Sequence, residues 1–199
     1  MVTYSNNNIY WNYFISIEED LFRLSRFIEF DKDNENVFSI ELARILISSS
    51  SEFEVVTREL CKLKFSNFNS VKMKFIRDKL LSIIPDVCDL EITVSRFGLN
   101  CKPLENWKSN KDCEWWKSYD KVKHFRSTEY KKANLINVIN SIGALYIVNL
   151  YYYNFLQEKD ENKSISMEET TLKLRPYPCL IKVNNPGFYM IPYNTAYYG

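Results

Sequence analysis

The chain has 199 residues, enough for one domain with a substantial core and too few for two domains of comparable size. Hydrophobic residues make up 46% and charged residues 26%, as in soluble globular proteins, and four glycines are too few for a glycine-rich phosphate loop or a turn-rich β-sandwich. The net charge of +1 excludes a chain that is basic overall, as many nucleic-acid-binding domains are.

Three amphipathic helices are predicted in the first half of the chain. Ser16 and Glu19 form a capping-box pattern that predicts the start of the first helix. The second helix has Ser39 as its predicted N-cap and contains four consecutive serines, which weaken helix propensity but allow close approach of another helix. A third, basic helix ends at Pro85. The residues predicted to face inward are Ile17, Leu21, Leu24, Phe27 and Ile28 in the first helix, and Leu42, Ile45, Leu46, Phe53, Val56 and Leu60 in the second.

A change of period after the third helix indicates β structure. Ile92 and Val94 alternate with polar neighbours, and Gly98, Asn100 and Pro103 then break the pattern. We therefore predict a short strand or hairpin followed by a loop. The tail is rich in proline and aromatic residues, and we expect it to be extended, with a strand that pairs with residues 91–97.

Residues 127–157 contain no proline and are predicted to form one of the longest helices. Residues 136–155 carry no charge and reach the length that a membrane span requires. However, Asn137, Asn140, Ser141 and Asn149 interrupt this stretch, and amides are costly in lipid but natural at a helix interface. We expect the central helix of a soluble core and no membrane association.

The sequence WWKSYDKVKHFR, residues 115–126, contains the only histidine. In a helix, Asp120 and His124 lie at positions i and i+4 on one face, where a carboxylate orients an imidazole. His124 then acts as a general acid or base, while Lys121, Lys123 and Arg126 hold a phosphate and neutralise its charge.

The same spacing also fits a purely structural role. In that interpretation Trp115, Trp116, Tyr119 and Val122 anchor the helix in the core, the lysines are solvated, and His124 is hydrogen-bonded at a helix junction. Trp116 and Tyr119 are also candidates for stacking on an RNA base.

The pattern W-W-x-x-Y-x-x-V-K-H-x-R, followed by a long helix that begins ANLINVINSIGALYIV, resembles the HEPN superfamily, particularly bacterial members linked to abortive infection and toxin systems. The sequence SIELARILISSSSEFEVVTREL is similar to the second bundle helix of those proteins, with Glu52 as the acidic residue after the small residues. The resemblance covers residues 16–157.

This resemblance implies a dimerising helical bundle that places the polar motifs of both protomers around one cleft. Active members of the family are metal-independent endoribonucleases, in which an arginine lies shortly before a histidine at the head of the final long helix. His124 matches that histidine. The nearest upstream arginine in this chain is the distant Arg96, and Arg126 follows the histidine instead.

The predicted fold is an all-α, HEPN-like up-and-down bundle over residues 1–157, with a strand or loop insertion near residues 90–106 and an extended tail at 158–199. The expected function is to act on or bind RNA or a nucleotide, as a metal-independent endoribonuclease in a defence or toxin context. The alternative is a non-enzymatic dimeric interaction module with a cognate protein partner, antitoxin-like or regulatory. The predicted catalytic residues are His124, Arg126, Lys121 and Asp120, and the predicted nucleic-acid-binding residues are Lys117, Lys123 and Trp116.

Five cysteines and one histidine show no zinc-ligand spacing and no paired disulfide framework, so we predict no metal, no cofactor and a reducing compartment. The N-terminal sequence has no basic segment followed by an apolar run and therefore no signal-peptide pattern. We expect a cytoplasmic homodimer.

Overall fold

The structure is a computed structural model that describes residues 8–188 and is mostly helical, with one small sheet. Residues 1–7 and 189–199, the ends of the predicted bundle and tail, lie outside the described residues. The helices of the described part are α1 (Ile9–Leu24), α2 (Ile40–Lys64), α3 (Met73–Ile83), α4 (Glu114–His124), α5 (Arg126–Glu129), α6 (Leu135–Glu161) and α7 (Met167–Lys173). The strands are β1 (Ile92–Val94), β2 (Leu99–Cys101) and β3 (Ile181–Val183).

The core is organised around α2 and α6, the two longest helices of the described chain. They begin side by side, where Phe38 and Asn134 form an isolated β-bridge. They also end side by side, where Lys64 Nζ lies 3.8 Å from the Glu158 carboxylate. The two helices are therefore parallel and do not alternate in direction as an up-and-down pair would, because the chain between them returns to the end where α2 begins.

Small side chains allow α2 and α6 to pack closely. Ser49 of α2 and Ser141 of α6 are fully buried, and their hydroxyl oxygens are 2.6 Å apart. Ser39 caps α2 as predicted, because its hydroxyl accepts a hydrogen bond from the Leu42 N–H. All six residues predicted to face inward from α2 are buried, so this helix is confirmed together with the role of its serines.

Helix α1 begins seven residues earlier than predicted, at Ile9 instead of Ser16. Ser16 lies exposed in the middle of the helix, so the capping-box interpretation is wrong. The physical reason is an apolar face upstream of it, where Trp11 and Phe14 are buried against Tyr146. Phe27, predicted to face inward, lies after the end of α1 and is exposed.

A buried carboxylate joins α1 to the C-terminal strand. Glu18 is 1% exposed, and its Oε1 accepts hydrogen bonds from the backbone N–H groups of Leu180 and Ile181, at 2.6 and 3.1 Å. Its Oε2 accepts from the N–H and the thiol of Cys179, at 3.1 and 3.3 Å. Hydrogen bonds to a charged acceptor are stronger than those between neutral groups, so this contact anchors β3 on α1.

The three strands form an antiparallel sheet in the order β2-β1-β3. The hairpin of β1 and β2 is confirmed, with Gly98 in its turn at a φ of 64°, and β3 pairs with β1 as predicted for the tail. The sheet packs directly on α6 at Gly143, where a Cβ atom would lie only 2.8 Å from the Ile92 side chain. A glycine is therefore required at this crossing.

The long helix of the second half is shorter at its start and longer at its end than predicted. Residues 126–132 form α5 and one 3₁₀ turn, and α6 starts only after Asn134, whose side chain accepts from the Asn137 N–H. Helix α6 continues to Glu161, past the predicted boundary at residue 157, and the tail contains the helix α7 as well as β3.

Helix α6 is long and apolar enough to cross a membrane, and it is the only such helix among residues 8–188. However, 72% of its most apolar window is buried inside the protein. This burial agrees with the predicted central helix of a soluble core.

Replacing Glu18 by Gln is expected to lower the free energy of unfolding by about 2 kcal/mol, since the negative charge is lost and the amide NH2 faces a backbone N–H from which a carboxylate oxygen accepted. The matched control is Glu19→Gln, one residue along α1 and exposed, which should change stability by less than about 0.5 kcal/mol. Urea unfolding of the two variants checks the difference, and equal stabilities would contradict the anchoring role of Glu18.

Replacing Gly143 by Val is expected to cost about 2 kcal/mol, because the new side chain overlaps Ile92 and overpacking strains a core. Ser51→Val, at an exposed position of α2, should lower the free energy of unfolding by only about 0.4 kcal/mol. Thermal unfolding followed by circular dichroism separates the two variants. A Gly143→Val protein as stable as Ser51→Val would show that the sheet does not press on α6.

Candidate functional site

Helix α4 positions the predicted site residues by burying one face. Trp115, Tyr119 and Val122 are buried, and the Trp115 indole donates a hydrogen bond of 2.8 Å to the Pro103 carbonyl. The opposite face of α4 is therefore turned to solvent, and it carries the predicted charged residues.

His124 is the last residue of α4, and its side chain is 55% exposed. Its Nε2 lies 3.7 Å from Oδ1 of Asp120, one helical turn before it. The predicted pairing of these residues is therefore present in the structure, and the imidazole is accessible instead of buried at a helix junction. An exposed imidazole beside a carboxylate is able to take up and return a proton.

The cations around His124 differ in their partners, because Lys117 is paired with an acid, Lys123 contacts only an uncharged hydroxyl, and two others have neither. Lys117 Nζ is 2.6 Å from Glu114, and Lys123 Nζ is 3.2 Å from the Tyr119 hydroxyl. Lys121 and Arg126 are exposed, and neither has an acidic partner among the described residues. These two side chains are thus the ones available to an anionic ligand.

Phe125 separates His124 from Arg126 and was missed by the sequence interpretation. Its φ of −132° and ψ of 41° end α4, and α5 starts at Arg126. The ring is 61% exposed, and its centroid is 6.4 Å from that of the imidazole. An exposed aromatic ring between cations is a suitable surface for a nucleobase.

A groove of about 870 Å³ lies beside this segment, between α2 and the residues from α5 to the following 3₁₀ turn. Its polar rim includes Arg126 and Arg44, and the Arg44 guanidinium is held by Asp20 and Glu41 at 2.9 and 2.8 Å. Tyr130 also lines it, and the Tyr130 hydroxyl is buried with no hydrogen-bond partner among the described residues. His124 does not line the groove.

Trp116 is half-buried and packs in an aromatic cluster. Its ring centroid lies 5.1 Å from Tyr119, 5.8 Å from Trp115 and 6.3 Å from Phe53. The ring that the sequence suggested for stacking on RNA is thus largely occupied by protein contacts, and Phe125 is the more accessible aromatic side chain.

Glu52 lies away from the His124 cluster. Burial raises its pKa, and its charge contributes, after burial and Glu59, to a raised pKa of Tyr10 in the first turn of α1. The structure therefore does not bring together Glu52 and His124.

The described residues include no cluster of three or more histidine, cysteine or acidic side chains able to hold a metal ion. Burial raises the pKa of Cys61, Cys101 and Cys113 to about 12, and burial together with Glu18 raises that of Cys179 to about 11. Thiolates are therefore scarce at neutral pH, and these four cysteines are poor nucleophiles.

No protein-family model matches the chain, and neither a curated protein nor a solved structure matches it. The assignment of function consequently rests on the geometry of α4 and α5.

Trp116 and Phe125 are expected to contribute very differently to stability. Trp116→Ala should lower the free energy of unfolding by about 2 kcal/mol or more, because it opens a cavity in the aromatic cluster. Phe125→Ala should change it by less than about 0.5 kcal/mol, because the ring is mostly in solvent. Chemical denaturation of both variants measures the difference, and a large loss in Phe125→Ala would remove this ring from the candidate ligand surface.

Proposed function

We propose that the protein is a HEPN-like RNA-binding protein of the cytoplasm that cleaves RNA without a metal ion. The observation that carries the proposal is the accessible His124–Asp120 pair, flanked by Lys121 and Arg126, whose charges no acidic side chain of the described chain neutralises. The unneutralised cations favour a phosphate ligand, and the histidine supplies the chemistry.

RNA binding follows from the arrangement of charges and one aromatic ring. Lys121 and Arg126 contact the phosphates, and Lys123 adds to the positive field, whereas the charge of Lys117 is offset by Glu114. Phe125 stacks on an unpaired base, which restricts the ligand to single-stranded segments.

In this proposal the RNA strand is cleaved by an internal transesterification at phosphorus. The 2′-oxygen forms a bond to the adjacent phosphorus as His124 removes its proton, and the bond from phosphorus to the 5′-oxygen breaks as that oxygen gains a proton. Arg126 and Lys121 stabilise the charge that builds up on the phosphoryl oxygens. A homodimer supplies a second His124 for the second proton transfer.

The cytoplasmic location is supported by unpaired cysteines, since the five thiols are free in the structure. Burial of α6 also supports a soluble protein. A role in defence or toxin systems follows only from the resemblance of the sequence to HEPN proteins.

A second candidate function is a dimeric interaction module that binds a cognate protein. The specific observation in its favour is the groove beside α5, which has Ile40, Ala43 and Ile47 on its α2 side. Ile40 is exposed, and an apolar wall with an arginine rim is typical of a surface that binds another protein.

Binding is tested by fluorescence anisotropy with a labelled single-stranded RNA in a chelator. Lys121→Ala and Arg126→Ala should each weaken binding and lower the slope of log affinity against log salt by about 0.7, because each loses one phosphate contact. The control is Lys182→Ala, which changes an exposed lysine of β3 and should leave the affinity and the salt slope unchanged. Equal affinities in all three variants would contradict the proposed surface.

Cleavage is tested with the same RNA by gel analysis. His124→Ala should reduce the rate about 100-fold or more and leave the affinity unchanged, because the imidazole transfers protons and carries no share of the phosphate binding. Binding without cleavage by the wild-type protein would reject the nuclease and retain the RNA-binding function, whereas neither activity would favour the interaction module.

A further inference from the structure

A second basic surface lies far along the chain from the His124 segment. It consists of the end of α2, the following loop and the first turns of α3, within residues 62–82, and we name it the α2–α3 surface. This stretch has six basic residues and one acidic residue. The single acidic side chain, Asp78, is already engaged by the Arg77 guanidinium at 3.3 Å. Three of the basic side chains also have acidic partners outside this stretch, because Lys62 pairs with Glu59, Lys64 with Glu158 and the buried Arg77 with Asp112. Lys72, Lys74 and Lys79 have no acidic partner among the described residues, so these three lysines give the surface its positive charge.

Exposed apolar side chains alternate with the lysines on this surface. Val71 and Phe75 are 66% and 51% exposed. Lys72 and Lys74 lie between them, and neither has an acidic partner among the described residues. An exposed ring next to cations, as Phe75 is next to Lys74 and Lys72, is an arrangement with which proteins hold single-stranded nucleic acids.

A hollow of about 500 Å³ lies beside Phe75. Its polar wall contains the amides of Asn67 and Asn69, whose side chains make no hydrogen bond with the described residues. Lys79 also lines the hollow, and its ammonium group lies 4.3 Å from the centroid of the Phe65 ring. Asp78 lines the hollow as well, and its carboxylate is paired with the Arg77 guanidinium. The hollow thus combines a ring, free amides and a cation, which together suit the face, the edge and the phosphate of a nucleotide.

We infer that the α2–α3 surface is a second contact for the same single-stranded RNA, with Phe75 stacking on a base and Lys72 and Lys74 holding phosphates. This inference rests on the proposed function for the identity of the ligand. It adds an anchoring surface that takes no part in the chemistry at His124.

An anionic membrane would also be attracted by the lysines, but the shape of the surface favours RNA. Membrane-surface helices present a continuous apolar face to the lipid. Here the hollow with its asparagine amides interrupts the apolar side chains, and amides gain hydrogen bonds from base edges and none from acyl chains.

The test is anisotropy of the full-length protein with labelled single-stranded RNA in a chelator. Phe75→Ala should weaken binding about fivefold or more through the loss of stacking. The double variant Lys72→Glu with Lys74→Glu should weaken it further and lower the salt slope by about 1.4. The matched controls are Phe27→Ala, an exposed ring elsewhere, and Lys182→Glu on β3, and both should bind like the wild type.

The outcomes separate this inference from the proposed function. If Arg126→Ala weakens binding and the α2–α3 variants do not, the second contact is overturned and the proposed function stands. If only the α2–α3 variants weaken binding, the second contact stands and the His124 segment is not the RNA site. Absence of RNA binding by the wild type overturns both. Binding of phosphatidylserine vesicles that is lost in the double lysine variant, with RNA affinity unchanged, replaces the RNA contact by a membrane contact.

Discussion

The close parallel packing of α2 and α6 is the constraint on which the remaining structure depends. It requires small buried residues at the contact, and the hydrogen bond between Ser49 and Ser141 also satisfies polar groups that would otherwise be costly in a core. Because the two helices start together, the chain between them must return to that end. The segment that carries His124 and Arg126 is the final part of this return, so the candidate site lies where α4 gives way to α5 and α6.

The sheet closes the other side of α6 and depends on two local features. Gly143 lets Ile92 approach the helix backbone, and Glu18 holds the start of β3 through three backbone N–H groups. Both features join segments that are distant in sequence. The small sheet is therefore an integral part of the core and connects the first helix, the central helix and the tail.

Local sequence signals predicted the elements whose determinants are local. The Ser39 cap, the inward stripe of α2, the stop at Pro85 and the hairpin at Gly98 each depend on a few adjacent residues. The start of α1 was missed because Trp11 and Phe14 are fixed by packing on Tyr146, a contact that spacing does not reveal. The pairing of Asp120 with His124 followed from helical spacing, whereas the groove with Arg44 and Tyr130 depends on the parallel packing of distant segments.

The bonds from Glu18 span up to 163 residues of sequence, so the first helix and the last strand complete each other's hydrogen bonding. During synthesis on the ribosome, α1 emerges long before the backbone donors that its carboxylate requires. Until residues 179–181 are made, burial of α1 would leave the Glu18 carboxylate without its hydrogen-bond donors, and the native arrangement of α1 is disfavoured. A chain truncated before Cys179 therefore lacks the groups that make its first helix stable in the core, so stable packing of α1 requires that the C-terminal strand has been synthesised.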